Sequence, residues 1–360
     1  MNIIKIFILF SLLVSNKDYL NSYFHLENNL EYKLIEYEIL KANEYDLFIL
    51  NQPYKNDEIF NILKDTNFNE VFINQYNYLV NQDDNFGFKI NLGFNNIQYN
   101  DSRPIKPYID SDIYLDFDNF VAVNSIFIDK ALKDDPNYHG DKAEWATAYM
   151  QNSYGLLNYK NIDFFGGRVS RNMGTLNDFS LLFSNNPYSF DHYGFSVDSK
   201  KIRFSFYCTR LNDIDNAQDS EGLVIPIGET DIAKRYFSVQ RLDFIISSKL
   251  QGALSASTIY GGPNQTFVAD YINPLNIYYL SQRNNQIQMN NLYQMNLFYH
   301  FNNRAGVYFD FLIDDIIVNN EPGVTDKHDN RFGLMLKCSF LDLMIRESLL
   351  SVRYTKIWNE

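Results

Sequence analysis

Phe86-Gly87-Phe88-Lys89-Ile90-Asn91-Leu92-Gly93-Phe94-Asn95 decides the fold. Phe86, Phe88, Ile90, Leu92 and Phe94 point one way, while Lys89, Asn91 and Asn95 point the other. Side chains on a strand alternate between its two faces, so this stretch predicts a ribbon with one apolar and one polar side. Working outward, the same period of two recurs to the C-terminus. Ile105, Ile109, Ile113, Leu115 and Phe117 share a face. Lys106, Tyr108, Asp110, Asp112, Tyr114 and Asp116 occupy the other. Carboxylates at that density do not fit a dry core, and they suit a water-filled lumen.

Further runs fall at 120–128, 149–159, 162–169, 192–197, 202–211, 235–246, 250–260, 291–301, 305–315, 331–340 and 351–358, about 13 strands with the first two. In the run 305–315 the apolar face is Val307, Phe309, Phe311 and Ile313, against Tyr308, Asp310 and Asp314. Turn chemistry at Asp118-Asn119, Lys160-Asn161, Asp198-Ser199-Lys200 and Asn302-Asn303 joins neighbours as hairpins. Other connections are long: 130–147, 212–234, 261–290 and 318–330. Short turns at one end and long loops at the other, on strands near the ~9–11 residues that cross a bilayer at a tilt, predict an antiparallel outer-membrane β-barrel. The count is odd and the last strand ends at the stop, so an incomplete barrel is expected. A soluble sandwich would need a second sheet over the apolar face, and no blade-length repeat supports a propeller.

The totals agree. The chain has 360 residues, 27 Tyr, 30 Phe and a net charge of −13. The acidic balance excludes nucleic acid as a partner, since phosphate contacts need a basic field. A mean hydropathy of −0.31 argues against a helical membrane protein but does not count against a barrel, whose polar inner face dilutes the average. Cys208 and Cys338 stand far apart within alternating runs and read as small buried or lipid-facing residues; a disulfide between them is also open. Lys5 and the apolar run Ile6–Val14 read as a secretory signal over residues 1–17, too short to span a bilayer as a helix. Residues 18–84 form a helical region. Leu30, Leu34, Tyr37 and Leu40 recur at helical spacing, and Asn56 is a candidate N-cap for a helix burying Ile59, Ile62 and Leu63. A third helix is expected over Glu70–Leu79. Residues 85–360 are the barrel with plug or loop insertions.

Catalytic signals are poor. Five histidines form no HExxH, and no GxSxG occurs. His192 near Ser180, Ser184 and Ser189 is a commonplace spacing. Asp213, Asp215 and Asp219 alternate as calcium ligands do but lack the EF-hand glycine. The expectation is a non-enzyme with no metal or cofactor.

Several clusters exceed what barrel physics requires. Phe164-Phe165-Gly166-Gly167-Arg168-Val169-Ser170-Arg171-Asn172-Met173-Gly174 is followed by Leu181-Leu182-Phe183-Ser184-Asn185-Asn186-Pro187. Then come Arg235-Tyr236-Phe237-Ser238-Val239-Gln240-Arg241-Leu242-Asp243, Tyr260-Gly261-Gly262-Pro263, Tyr271-Ile272-Asn273-Pro274-Leu275-Asn276, Asp314-Asp315 and Tyr354-Thr355-Lys356. In order and spacing this set resembles the Wzi-type capsule assembly family of outer-membrane proteins, over roughly Tyr32–Trp358. The chain departs from the family at Asn172-Met173-Gly174-Thr175, where Trp-Gly-x-Gly is common, and at Lys356, where arginine is usual. The resemblance implies a non-catalytic lectin of the cell outer membrane: a barrel of 18 strands, blocked by a helical plug, that binds capsular or exported polysaccharide. Its partners would be that polysaccharide and outer-membrane lipid. Arginine pairs with the carboxylates of acidic sugars, which makes Arg168, Arg171, Arg235 and Arg241 candidates, with Tyr260 and Asp314 beside them. The structural alternative pairs these arginines with acids such as Asp110, Asp112, Asp243, Asp310 and Asp314. A diffusion channel is the second functional reading, drawn from the acid-lined strand faces alone.

Overall fold

The computed structural model of the chain describes residues 10–14, 22–27, 29–42, 46–63, 86–95, 106–117, 119–130, 132–135, 138, 140, 142, 147–176, 178–184, 188–214, 233–263, 265–285, 289–314, 331–343, 345–346 and 348–358. The protein is mostly β, with antiparallel strands throughout and few helices; among the described residues no helix is long and apolar enough to cross a membrane. The expected third helix at Glu70–Leu79 lies outside the described residues. The chain divides into two compact units. One comprises Met1–Asn29, Pro53–Arg171 and Asn185–Phe190; the other comprises Leu30–Gln52, Asn172–Ser184 and Asp191–Glu360.

The first unit is a meander in which each strand pairs with the next in the order β1 (Phe10–Val14), β3 (Phe86–Asn95), β4 (Lys106–Phe117), β5 (Phe120–Asp129), β6 (Thr147–Tyr159) and β7 (Ile162–Val169). The segment read as a signal forms the short β1, with Phe10 opposite Leu92 and Val14 opposite Phe88. The outward face carries Ile109, Ile113, Leu115 and Phe117, each more than a third exposed. The other face buries Tyr23, Val121, Val123, Tyr154, Leu156, Phe165 and Val169 together. Asp110 and Asp112 share that polar-side register and are half-buried, while Asp116 is buried. α2 (Asn56–Leu63) belongs here. The Glu58 carboxylate accepts the backbone N–H of Lys55 at 2.8 Å, the glutamate half of a capping box, while the candidate cap Asn56 donates from its side-chain amide to Ser22 Oγ. Ile59 is buried as expected.

The second unit runs β9 (Phe190–Asp198), β10 (Ile202–Ile214), β11 (Ala233–Ser247), β12 (Leu250–Pro263), β13 (Met289–Asn302), β14 (Ala305–Asp314), β15 (Arg331–Leu341) and β16 (Leu349–Trp358), again each beside the next. Among the described residues β16 has one ladder, to β15. All thirteen strands expected from the sequence are present. The three further strands are β1 and a two-residue pair, β2 (Asn51–Gln52) with β8 (Asn172–Met173).

The alternation holds in this unit. Phe309, Phe311, Leu334, Leu336, Leu350 and Val352 share the apolar face. Against the polar face lie α1 (Asn29–Lys41), residues 46–52 and residues 172–184. α1 is a helix where expected, and Leu40 is buried as its spacing predicts, but Leu34 and Tyr37 are half-buried and the rest of the buried side is Tyr32, Ile35, Glu36, Glu38 and Ile39. The polar strand face explains the shift, because it has partners for carboxylates. Lys337 and Ser339 both donate to Glu36, at 3.0 and 2.7 Å. The helix comes so close at Gly306 that a Cβ there would sit 2.5 Å from Leu40 Cδ2. Both cysteines are free, and their strand positions place them on the apolar side.

Candidate functional site

In the first unit, an aromatic cluster sits at the long-loop end of the polar face. Tyr108 on β4, Phe127 on β5 and Tyr149 on β6 are lined up by register: Tyr108 is opposite Asp129, Asp110 opposite Phe127, and Phe127 opposite Tyr149. The Tyr108 and Phe127 rings stack with centroids 5.4 Å apart. The connections supply the rest. Tyr188 meets Tyr149 edge-on at 5.1 Å, and Tyr138 meets Tyr188 at 5.7 Å. All five rings are half-buried, so each is held and each keeps an open side. Carboxylates frame them. Tyr188 donates to Asp135 Oδ2 at 2.5 Å, Lys142 holds the Asp135 carbonyl at 2.7 Å, and Asp110 and Asp129 stand on the neighbouring strands. Lys106 pairs with Asp134, and that hydrogen bond holds the Asp134 carboxyl below its ordinary range. Fixed aromatic faces beside acceptor oxygens can take C–H faces of a pyranose and the hydroxyls at its edge.

The second unit presents a different chemistry, a polar face filled by its own chain. Arg241 is 1% exposed and has acceptors on all three of its nitrogens. Nε donates to Asp243 at 3.0 Å, Nη1 to Ser255 Oγ at 3.0 Å and Asn296 Oδ1 at 2.8 Å, and Nη2 to the Leu50 carbonyl at 2.7 Å. Asp243 also accepts from Asn51 Nδ2 at 2.9 Å. Gln251 grips the same segment through the Leu47 carbonyl and the Ile49 N–H. Asp310 accepts from the Leu181 backbone N–H, Ser180 and Gln294. Arg203 pairs bidentately with Asp198 at 2.7 Å and lies over Phe48. These bonds lock residues 47–52 and 172–184 onto the strands.

The six residues singled out from sequence do not converge. Arg168 is on the outward face of β7, in line with Phe164 and Gly166, and is opposite Ser153. Arg171 is buried with its guanidinium over Phe165 and Tyr23, at 4.6 and 5.2 Å. Arg235 donates to the Asn212 carbonyl at 3.0 and 3.1 Å, and Asp314 accepts from Asn290 at 2.8 Å. Both belong to the polar face near its long-loop end. Tyr260 is on the opposite, apolar side, stacked on Tyr236. His192 is buried edge-on to Tyr207 and near Phe183, while Ser180 donates to the Met173 carbonyl. Among the described residues no group of three or more metal-ligating side chains converges. The aromatic cluster escaped the sequence reading because its members lie on five separate segments. The available signal was tyrosine density at the loop ends of the first strands.

Comparison with known proteins bears on this arrangement. The profile of the capsule assembly protein Wzi matches residues 116–340, more than half of the chain. The chain belongs to the Wzi capsule assembly family. The Wzi match begins at the end of β4 and runs to β15, so it takes in four of the five clustered aromatics and, of the Arg241 network, Arg241, Asp243, Ser255 and Asn296 but not Leu50 or Asn51. Comparison with curated proteins gives no match. Among solved structures, Pseudomonas aeruginosa OccK10 (OpdN) aligns at 10% identity over 77% of this chain and 83% of its own, with a TM-score of 0.31, a level at which the likeness carries no argument.

Proposed function

We propose that this Wzi-family chain is a non-catalytic outer-membrane β-barrel that holds exported capsular polysaccharide at its surface, through the aromatic cluster of Tyr108, Phe127, Tyr138, Tyr149 and Tyr188. The supporting observation is the pairing of half-buried rings with carboxylates at the end of the strands where the connections are long, the outward end of such barrels. The acids favour sugars rich in hydroxyls or carrying amino groups over uronic acids. The membrane supports the reading because the outward strand faces stay apolar and exposed, as hydrocarbon requires.

The diffusion-channel reading is disfavoured by the second unit, whose polar face is occupied by the segments that Arg241, Asp310 and Lys337 hold. Three measurements test the proposal. Pull-down on the organism's own surface polysaccharide should retain the protein, a deletion strain should shed that polysaccharide, and planar bilayers should show little conductance. Steady conductance with no polysaccharide retained would reject the lectin in favour of a channel.

A further inference from the structure

The connection between β12 and β13 does not join the polar side. Register places Tyr236, Tyr260 and Met289 in one row. Counting by two down β12, Tyr260 shares its face with Thr258, Ala256 and Leu254, and Leu254 is 54% exposed on the apolar side. Ser255 and Ser257 are on the other face, where Ser255 accepts from Arg241. Residues 265–285 fold back over this apolar face. Tyr271 packs on Tyr260 at 4.5 Å between centroids, Tyr278 follows at 6.3 Å, and the four tyrosines form one buried cluster. Gln240 ties the segment down through the Asn276 carbonyl at 2.8 Å, and Asn276 itself bonds Asp270 and Ser281. α3 (Tyr278–Asn285) buries Tyr278 and Ser281 against the strands.

Among the residues the segment turns outward, beside Asp270 and Asn273, are three large aliphatics: Leu275 at 81% exposed, Ile277 at 62% and Leu280 at 52%. Water would not favour three large aliphatics on a segment with this much internal bonding. We propose that residues 265–285 form a clasp that seats Leu275, Ile277 and Leu280 in the lipid at the outer edge of the bilayer. The occupant follows from continuity: the clasp lies on the same face as the exposed strand residues and at their long-loop end. The inference rests on the membrane reading above and adds a lipid contact made by a connection rather than by a strand.

The test uses the full chain in proteoliposomes, with Cys208 and Cys338 changed to Ala and a nitroxide placed at Leu275→Cys, Ile277→Cys or, as reference, Leu254→Cys. Collisions with oxygen and with a water-soluble nickel chelate are compared. The expected result is that oxygen dominates at 275 and 277 as it does at 254. If 254 reports lipid while 275 and 277 report water, the clasp is overturned and the membrane reading stands. If all three report water, the membrane reading fails and the clasp with it. Labels at 275 and 277 shielded from both reagents and broadened by spin–spin contact would assign the surface to a second copy of the chain, also overturning the proposal.

Discussion

Arg241 donates to Asp243 from two positions away on the same strand, and the guanidinium goes on to hold the Leu50 carbonyl. The period of two makes this possible, because it puts both side chains on the polar face. The pair is nearly dry, so its charges survive only through mutual pairing and the surrounding Ser255, Asn296 and Asn51 bonds.

Arg241→Ala should therefore be severe. It strands Asp243 without its strongest partner and frees residues 47–52, at a cost of about 3–5 kcal/mol. Denaturant midpoints in detergent would register the loss, and single-channel records should show openings that the wild type lacks. Unchanged stability would mean that Arg241 does not anchor this segment.

Lys337 and Glu36 offer a cleaner partition. Lys337→Met leaves Glu36 buried with Ser339 as its remaining donor, and should destabilise by roughly 3 kcal/mol or more. Adding Glu36→Gln removes the stranded charge and should recover much of that loss. A double-mutant cycle on unfolding free energy checks this; additive losses would deny the coupling.

Glu38 sets a pH dependence. It is buried on α1, with Lys41 Nζ 3.7 Å away, and burial raises its carboxyl above the ordinary value against the pull of Lys41. A carboxyl raised in the folded state binds its proton more tightly there than in the unfolded chain. Ionised Glu38 thus opposes folding above its raised value, and this penalty fades as pH falls toward the ordinary carboxylate value. Glu38→Gln should be at least as stable as wild type at neutral pH, with the advantage shrinking on acidification. Melting temperatures across that range measure it, and a lower melting temperature for the variant at neutral pH would contradict it.

Much of this architecture was legible beforehand. Period two located thirteen strands because one face meets an apolar medium and the other does not. β2 and β8 left no pattern, since a two-residue bridge is created by the segments that meet there. α1 was visible as a helix while most of its buried side was not. Glu36 and Glu38 look solvated in sequence, and only Lys337 and Ser339, some 300 residues on, make burial tolerable for Glu36. The site was hardest. Arg241 with Asp243 could be paired from spacing alone, whereas Tyr108, Phe127 and Tyr149 align only once the strand registers are known, and Tyr138 and Tyr188 join them from the connections.

The most direct measurement is the affinity of purified protein for polysaccharide isolated from its own cell surface, comparing wild type with Tyr149→Ala/Tyr188→Ala. Each ring contributes about 0.5–1.5 kcal/mol as an aromatic contact, so the double variant should bind roughly fivefold to a hundredfold more weakly while keeping its melting temperature within a few degrees. Equal affinity for the two proteins, or no binding by either, would contradict a glycan site at this cluster.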